Sequence, residues 1–393
     1  MDTRQSRRPY KTVKNFLTLS KTDTMQSHNF FQSTVRKNLN ETVYGNKIFQ
    51  AVLLGKNYRG VIKEQKRGPF VFKWFQILGV EFGADLGNLK KLRQELTELK
   101  KKLASDRKCL FLQLGIIDPI ATFPSEQIKE EQFSETIKKL RCEVEKNITQ
   151  KLHFLVAFRE NLPPSTIVLD LSKSIEQLEA GMNQSCRQRV RKASKHNLFF
   201  SIAQKDERDI FYDKWKEISL EKGFHIMGKK TYQKFKEYVV ENQIGDLFLA
   251  KKGEEIVAGT ICIKDHSSLI YLYGAADRHY GNIGGHQFLL HEITKRAKEN
   301  GYWFFDLFGG APTGFPDHSL ATVSSFKESF GGTKIEYSGS YDLVFNRFLY
   351  LVFKLLRVAR IPFRFNLKIF TGLQTFGTVE KILERIISFF WKR

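Results

Sequence analysis

The stretch Trp303–Asp342 constrains the fold more than any other part of the chain. It runs Trp303-Phe-Phe-Asp-Leu-Phe-Gly-Gly-Ala-Pro312, then a polar loop, then Ser325-Phe-Lys-Glu-Ser-Phe-Gly-Gly332, and it closes on Tyr337-Ser-Gly-Ser-Tyr-Asp342. An apolar strand runs into Gly309-Gly310, where a backbone without Cβ can take positive φ and let another group approach closely. The second aromatic block carries a single cation, Lys327, and ends at Gly331-Gly332, as a short helix stopped by glycine would. Two readings fit these residues. One is a narrow substrate channel with aromatic walls and one fixed positive charge; the other is a buried strand–helix–strand unit whose glycines serve only the turns.

Upstream, the patterning alternates between strand and helix. Ile48–Leu54 and Phe70–Phe75 read as strands, and Leu89, Leu92, Leu96, Leu99 and Leu103 share one face of an amphipathic helix. Cys109–Leu114 reads as the next strand and the charged region 120–150 as helical. The Asn161-Leu-Pro-Pro164 stretch marks a boundary. Beyond it come a strand at Ile167–Leu171 and one helix capped by Ser172 or Ser174, carrying Ile175, Leu178, Met182, Cys186 and Val190. Helices over 209–221 and 230–241 follow, then strands at Leu247–Ala250, Ile256–Ile263 and Leu269–Ala275, and a helix His286–Asn300. The expected class is mixed α/β: a basic tail over 1–27, one unit over 28–160, a second over 161–342, and a basic helical segment over 343–393.

Charge narrows the partners. Lys and Arg total 64 against 42 Asp and Glu, a net charge of +22, which concentrates polyanions such as nucleic acid, phosphorylated precursors or anionic membrane. A lysine-rich surface without such a partner is the plainer alternative. The segment 343–393 holds ten Lys/Arg and two Glu, a net of +8, and Arg347, Tyr350, Lys354 and Arg357 form one stripe at helical spacing. That pattern suits the plane of an anionic membrane surface, or equally a terminal helix docked on the protein. Cys109, Cys142, Cys186 and Cys262 show no paired spacing and the nine histidines no metal-ligand spacing, so the expectation is a reducing compartment, no metal and no cofactor. There is no run of about 18 apolar residues and no signal-peptide core, so a cytoplasmic monomer without a spanning helix is expected.

Phe305-Asp306, Gly-Gly-Ala-Pro, Phe326-Lys327, Phe330-Gly331-Gly332 and Tyr341-Asp342, in this order and spacing, resemble the C-terminal signature of the Fem family (FemABX), the peptidoglycan-bridge aminoacyltransferases. The resemblance is strongest from about Pro163 to Asp342. It implies two tandem GNAT-like (acyl-CoA N-acyltransferase-like) subdomains. It also implies transfer of an amino acid from aminoacyl-tRNA to a stem-peptide amine of UDP-MurNAc-pentapeptide or lipid II. An aminoacyl ester is already activated, so such a site needs no covalent nucleophile or metal; it must position a neutral amine, stabilise an oxyanion and let a proton move. Lys327 is then the catalytic cation, and Phe326 and Asp306 belong to its substrate site. The resemblance also assigns precursor phosphate to the basic helix Arg187-Gln-Arg-Val-Arg-Lys192, where Arg187 and Arg191 stand four apart. Each of these residues also has an ordinary reading, as a solvated cation or a packed ring. Tyr273, with Tyr271, is a weaker positioning candidate on the same strand face, and buried aromatic packing is the plainer reading of both. After Gln32-Ser33 the chain has Arg36 and Asn40 where the family usually has tryptophan and lysine.

An acetyl-CoA-dependent N-acetyltransferase is the main alternative. Its pyrophosphate turn would fall at Arg278-His-Tyr-Gly281-Asn-Ile283, where Ile283 occupies a position that calls for a small residue. A non-catalytic basic module binding RNA and membrane is a third reading, and it leaves the paired glycine turns and Lys327 unexplained.

Overall fold

The computed structural model describes residues 29–67, 70–82, 89–104, 109–222, 226–281 and 283–358. In chain order the elements are α1 (Thr34–Asn38), β1 (Lys47–Leu53), β2 (Lys56–Arg67), β3 (Phe70–Val80), α2 (Leu89–Ala104), β4 (Cys109–Pro124), α3 (Glu131–Leu152), β5 (Leu155–Val156) and β6 (Ser165–Asp170). They continue with α4 (Ile175–Gly181), α5 (Gln184–Lys195), β7 (Phe199–Ile202), α6 (Lys205–Lys222), α7 (Lys229–Lys236), β8 (Gly245–Lys252), β9 (Glu255–Asp265) and β10 (Ser268–Ala276). The last are α8 (Gly285–Glu299), β11 (Phe304–Asp306), α9 (Ala321–Glu328), β12 (Thr333–Val344) and α10 (Arg347–Val358). The protein is mixed α/β.

The described residues form two compact units that are interleaved in sequence: 29–45, 118–144 and 163–339 make one, and 46–117, 145–162 and 340–358 the other. Strands β4 and β12 each have residues in both units, which is why the units are not contiguous halves. A change of unit does fall at Leu162–Pro163, inside the proline-bearing stretch.

In the larger unit the sheet order is β12-β6-β11-β10-β9-β8-β7. All its pairings are antiparallel except β10 with β11, where Ser268 faces Phe304. Both faces are covered, so its strands are apolar on alternate residues in both directions. Phe248, Ala250, Leu269 and Phe305 face α4, α5 and α8 through Leu178, Met182, Leu289 and Ile293. Leu247, Leu249, Ile261 and Ile270 face α6 and α7 through Phe211, Trp215, Tyr232 and Phe235. Phe30, Leu39 and Val43 join that second layer, so residues 29–45 belong to this unit although β1–β3, which follow them in the chain, belong to the other.

The sequence reading of one helix after Ser174 needs correcting. Ser174 does cap α4 through a capping box with Gln177, but Met182 takes an extended conformation (ψ 147°). Asn183 then caps α5 by accepting from the Cys186 amide at 2.8 Å. The break follows from having a cap residue directly behind Gly181-Met182.

In the smaller unit β1, β2 and β3 are antiparallel neighbours and β3 runs parallel to β4. Helix α10 closes this unit's core. Its Leu349, Tyr350, Val352 and Phe353 are buried on Phe72, Trp74, Leu110 and Phe111, and the Tyr350 hydroxyl donates to Asp342 at 2.7 Å. Tyr350 is therefore not part of an exposed polar stripe, and this apolar face is used by the protein itself. The remainder of the basic segment, 359–393, lies outside the described residues, as does the tail 1–27. Among the described residues no helix is long and apolar enough to cross a membrane.

Candidate active site

The site grows out of the end of β11. Beyond Asp306 the chain places Phe308 at φ 46° and Gly309 at φ 72°, two successive left-handed residues. For phenylalanine that conformation costs on the order of 1 kcal/mol and persists only where neighbours hold it. Three contacts do so here. Asp306 Oδ1 accepts from the Phe308 amide at 2.8 Å and from the Thr166 hydroxyl. The Phe308 ring packs against Phe30 and Phe31, with centroids 6.1 and 5.8 Å away. The Gly310 amide donates to the Ser165 carbonyl at 2.8 Å, and a Cβ on Gly310 would lie 2.8 Å from the Ser165 hydroxyl oxygen, too close for any side chain.

This turn directs two carbonyls at Lys327. The lysine projects from α9, only 4% exposed, and its Nζ donates to the Phe308 carbonyl and, at 2.8 Å, to the Gly309 carbonyl. The ammonium also sits 4.9 Å from the centre of the Tyr271 ring. Burial pushes its pKa from 10.5 down to about 7, with the Asp306 carboxylate pulling the other way. Burial likewise raises the Asp306 carboxyl, against the hydrogen bonds from Thr166 and Phe308 and the charge of Lys327. Phe326 stacks on His286 at 4.7 Å and meets Phe330 edge-on at 5.5 Å. Lys327, Phe326 and Asp306 thus come together, and the lysine is no helix-surface residue.

The other expected residues go elsewhere. A β-bulge between Tyr271 and Tyr273 sends their rings to opposite faces of the sheet, so the expectation of a shared face is corrected. Tyr271 lies under Lys327, with its hydroxyl 3.4 Å from His286 Nε2. Tyr273 packs on Trp215 at 5.2 Å and Phe235 at 5.8 Å on the far side. Arg187 donates to the Ala180 and Met182 carbonyls, closing the end of α4, while Arg191 stands exposed on α5. The two are therefore not an equivalent pair of free guanidinium forks. Sequence reasoning missed Tyr271 as the closer tyrosine, and it missed His286, Phe30 and Phe31. The Phe30-Phe31 pair, near the start of the described residues, was the one available signal.

The turn before α8, where a coenzyme A pyrophosphate would bind in the acetyltransferase reading, packs against α5. Gly284 (φ 76°) lies so near the Arg189 carbonyl that a Cβ there would collide with it.

The smaller unit has its own polar cavity of about 260 Å³, walled by Trp74, Phe111 and Phe158 with Lys63 and Arg159 among its lining residues. Gln113 crosses its floor, accepting from Gln76 at 2.6 Å and donating to Asp342 at 3.0 Å. Burial pushes the Asp342 carboxyl up to about 6, against the hydrogen bonds from Tyr350 and Gln113. Among the described residues no cluster of His, Cys, Asp and Glu could hold a metal ion.

The chain belongs to the FemAB family, whose description matches residues 20–251 and 240–357. It is accordingly an acyltransferase of the peptidoglycan-bridge kind. Among solved structures, FemX shares its fold: 16% identity, 82% of this chain and 94% of that chain covered, TM-score 0.57. A conserved protein of unknown function from Bacteroides thetaiotaomicron matches at 13% identity, over 85% of this chain and 96% of that one, with TM-score 0.47. A tandem GNAT protein from the clavulanic acid biosynthesis pathway matches at 10% identity over 75% and 81%, with TM-score 0.39. No curated protein matches the chain.

Proposed function

We propose that this protein transfers an aminoacyl group from aminoacyl-tRNA to an amine on the stem peptide of a peptidoglycan precursor. The precursor is UDP-MurNAc-pentapeptide or its lipid-linked form, lipid II, reached at the cytoplasmic face of the membrane. The observation that carries the reading is the buried Lys327 ammonium, fixed between two carbonyls and an aromatic ring beside the Gly309-Gly310 turn. In a water-poor site a fixed cation stabilises charge as it develops on the ester carbonyl, and it has no reorganisation to undergo. The ester arrives activated, so the protein supplies position and charge alone; the attacking amine loses its proton as the ribose hydroxyl gains one.

The net charge of +22 supports a polyanionic donor, and the exposed Arg191 and Lys192 on α5 offer phosphate contacts. The +8 of residues 343–393 supports a position beside anionic lipid, where a lipid-linked acceptor would reside. Each phosphate contact releases counterions, so tRNA affinity should fall on the order of 10³-fold between 50 and 200 mM salt if about six contacts form. A filter-binding titration measures this. A flat salt response, or no tRNA binding at low salt, contradicts the assignment of the donor.

A further inference from the structure

We propose that Glu336 is a positioning residue for the transfer, holding the loop that follows Gly309-Gly310 in register with the helix that carries Lys327. The inference rests on the role given to Lys327 above.

Glu336 is fully buried on β12, and both of its carboxylate oxygens are engaged. Oε1 accepts from the Thr313 amide at 3.0 Å and from the Thr313 hydroxyl at 2.7 Å. Oε2 meets Arg141 of α3 at 2.5 Å. Thr313 is itself 2% exposed and lies three residues beyond Gly310, so this grip fixes the far end of the turn whose carbonyls receive Lys327. Two residues back on the same face of β12, Lys334 is 1% exposed and bonds Glu328 at 2.8 Å while standing 3.5 Å from Glu336. Glu328 is the neighbour of Lys327 on α9 and also accepts from Ser324 at 2.7 Å. The lysine's helix and the lysine's acceptor turn are thus both referenced to one strand, one through Lys334–Glu328 and the other through Glu336–Thr313.

The two carboxylates and two cations balance in charge. Buried ion pairs seldom stabilise more than well-packed apolar side chains would, so stability alone is a weak reason for this cluster. A network with directional bonds does something an apolar core cannot: it specifies one loop position to within a fraction of an ångström. Misplacement by about 1 Å at such a site can cost up to a hundredfold in rate.

The test compares Thr313→Val and Glu336→Gln with the unmodified protein. Thr313→Val removes one donor without altering charge or volume much, so it remains informative if Glu336→Gln fails to fold. Transfer is measured with aminoacyl-tRNA and UDP-MurNAc-pentapeptide, and the titration of Lys327 is followed by NMR of 13Cε-labelled lysine. The expected result is a kcat lowered roughly tenfold to a hundredfold with little change in either KM, and a Lys327 titration moved upward as water reaches the loosened ammonium. Unchanged kcat together with an unchanged Lys327 titration in Thr313→Val overturns the proposal. Failure of the aminoacyl-transfer reading gives a different pattern, because the unmodified protein then shows no transfer from aminoacyl-tRNA while the Lys327 titration still moves in Thr313→Val.

Discussion

Lys327→Ala should lower the rate of aminoacyl transfer by about 10²–10³-fold, the cost of losing one preorganised oxyanion donor. The lysine is held by the Phe308 and Gly309 carbonyls and faces the Tyr271 ring, so its charge is fixed before substrate arrives. Binding of either substrate should change much less, since the charge matters most when the tetrahedral centre forms. Lys327→Arg should rescue little, because a planar guanidinium cannot occupy a space shaped for a compact ammonium between two carbonyls. The sign of the pH dependence follows from the same burial. With its pKa at about 7, Lys327 loses its proton as pH rises through neutrality, and the oxyanion loses its counter-charge. Single-turnover rates should therefore fall on the alkaline side of about pH 7 in the unmodified protein, and Lys327→Ala should lack that limb. A Lys327→Ala protein that transfers at the unmodified rate would leave the glycine-rich block purely structural.

Phe353→Ala should destabilise the smaller unit by about 3–5 kcal/mol, the usual cost of deleting a buried phenylalanine. Phe353 is 1% exposed, and its ring stands 5.3 Å from Phe72, 5.4 Å from Trp74 and 5.7 Å from Phe158. Leu351→Ala, on the same helix but 54% exposed, should stay within about 0.5 kcal/mol of the parent. Denaturant unfolding of the two variants reads the contrast. Equal effects would mean that α10 is not docked, and that its apolar face is free for a membrane after all. A truncation before Arg347 would accordingly unfold the smaller unit, and it is no test of lipid binding.

The contrast between what the residues announce and what they conceal is physical. The Trp303–Asp342 block was legible because apolar strand, paired glycines and a lone lysine are local signals, and Lys327, Phe326 and Asp306 do converge. Strand β2 was not legible: Lys56–Arg67 is crowded with charged residues, and it is a strand because its neighbours pair with it on both sides. The bulge that separates Tyr271 from Tyr273 inserts one extra residue, Leu272, and leaves no mark in a sequence of alternating apolar positions. Arg187 looked free because its acceptors, the carbonyls of Ala180 and Met182, exist only once the helix breaks; Asn183 was the readable sign of that break. The Arg141–Glu336 contact joins residues 195 apart, a distance over which a single sequence carries no pairing information.

The most direct measurement is turnover. The protein is incubated with UDP-MurNAc-pentapeptide in one arm and lipid II in another, each with a pool of charged tRNAs or with acetyl-CoA in its place, and the precursor is weighed by mass spectrometry. The account predicts that the precursor gains the mass of one amino-acid residue, that the gain requires charged tRNA, and that it is lost with Lys327→Ala. An unchanged precursor in every arm, or acetylation from acetyl-CoA without tRNA, would contradict it.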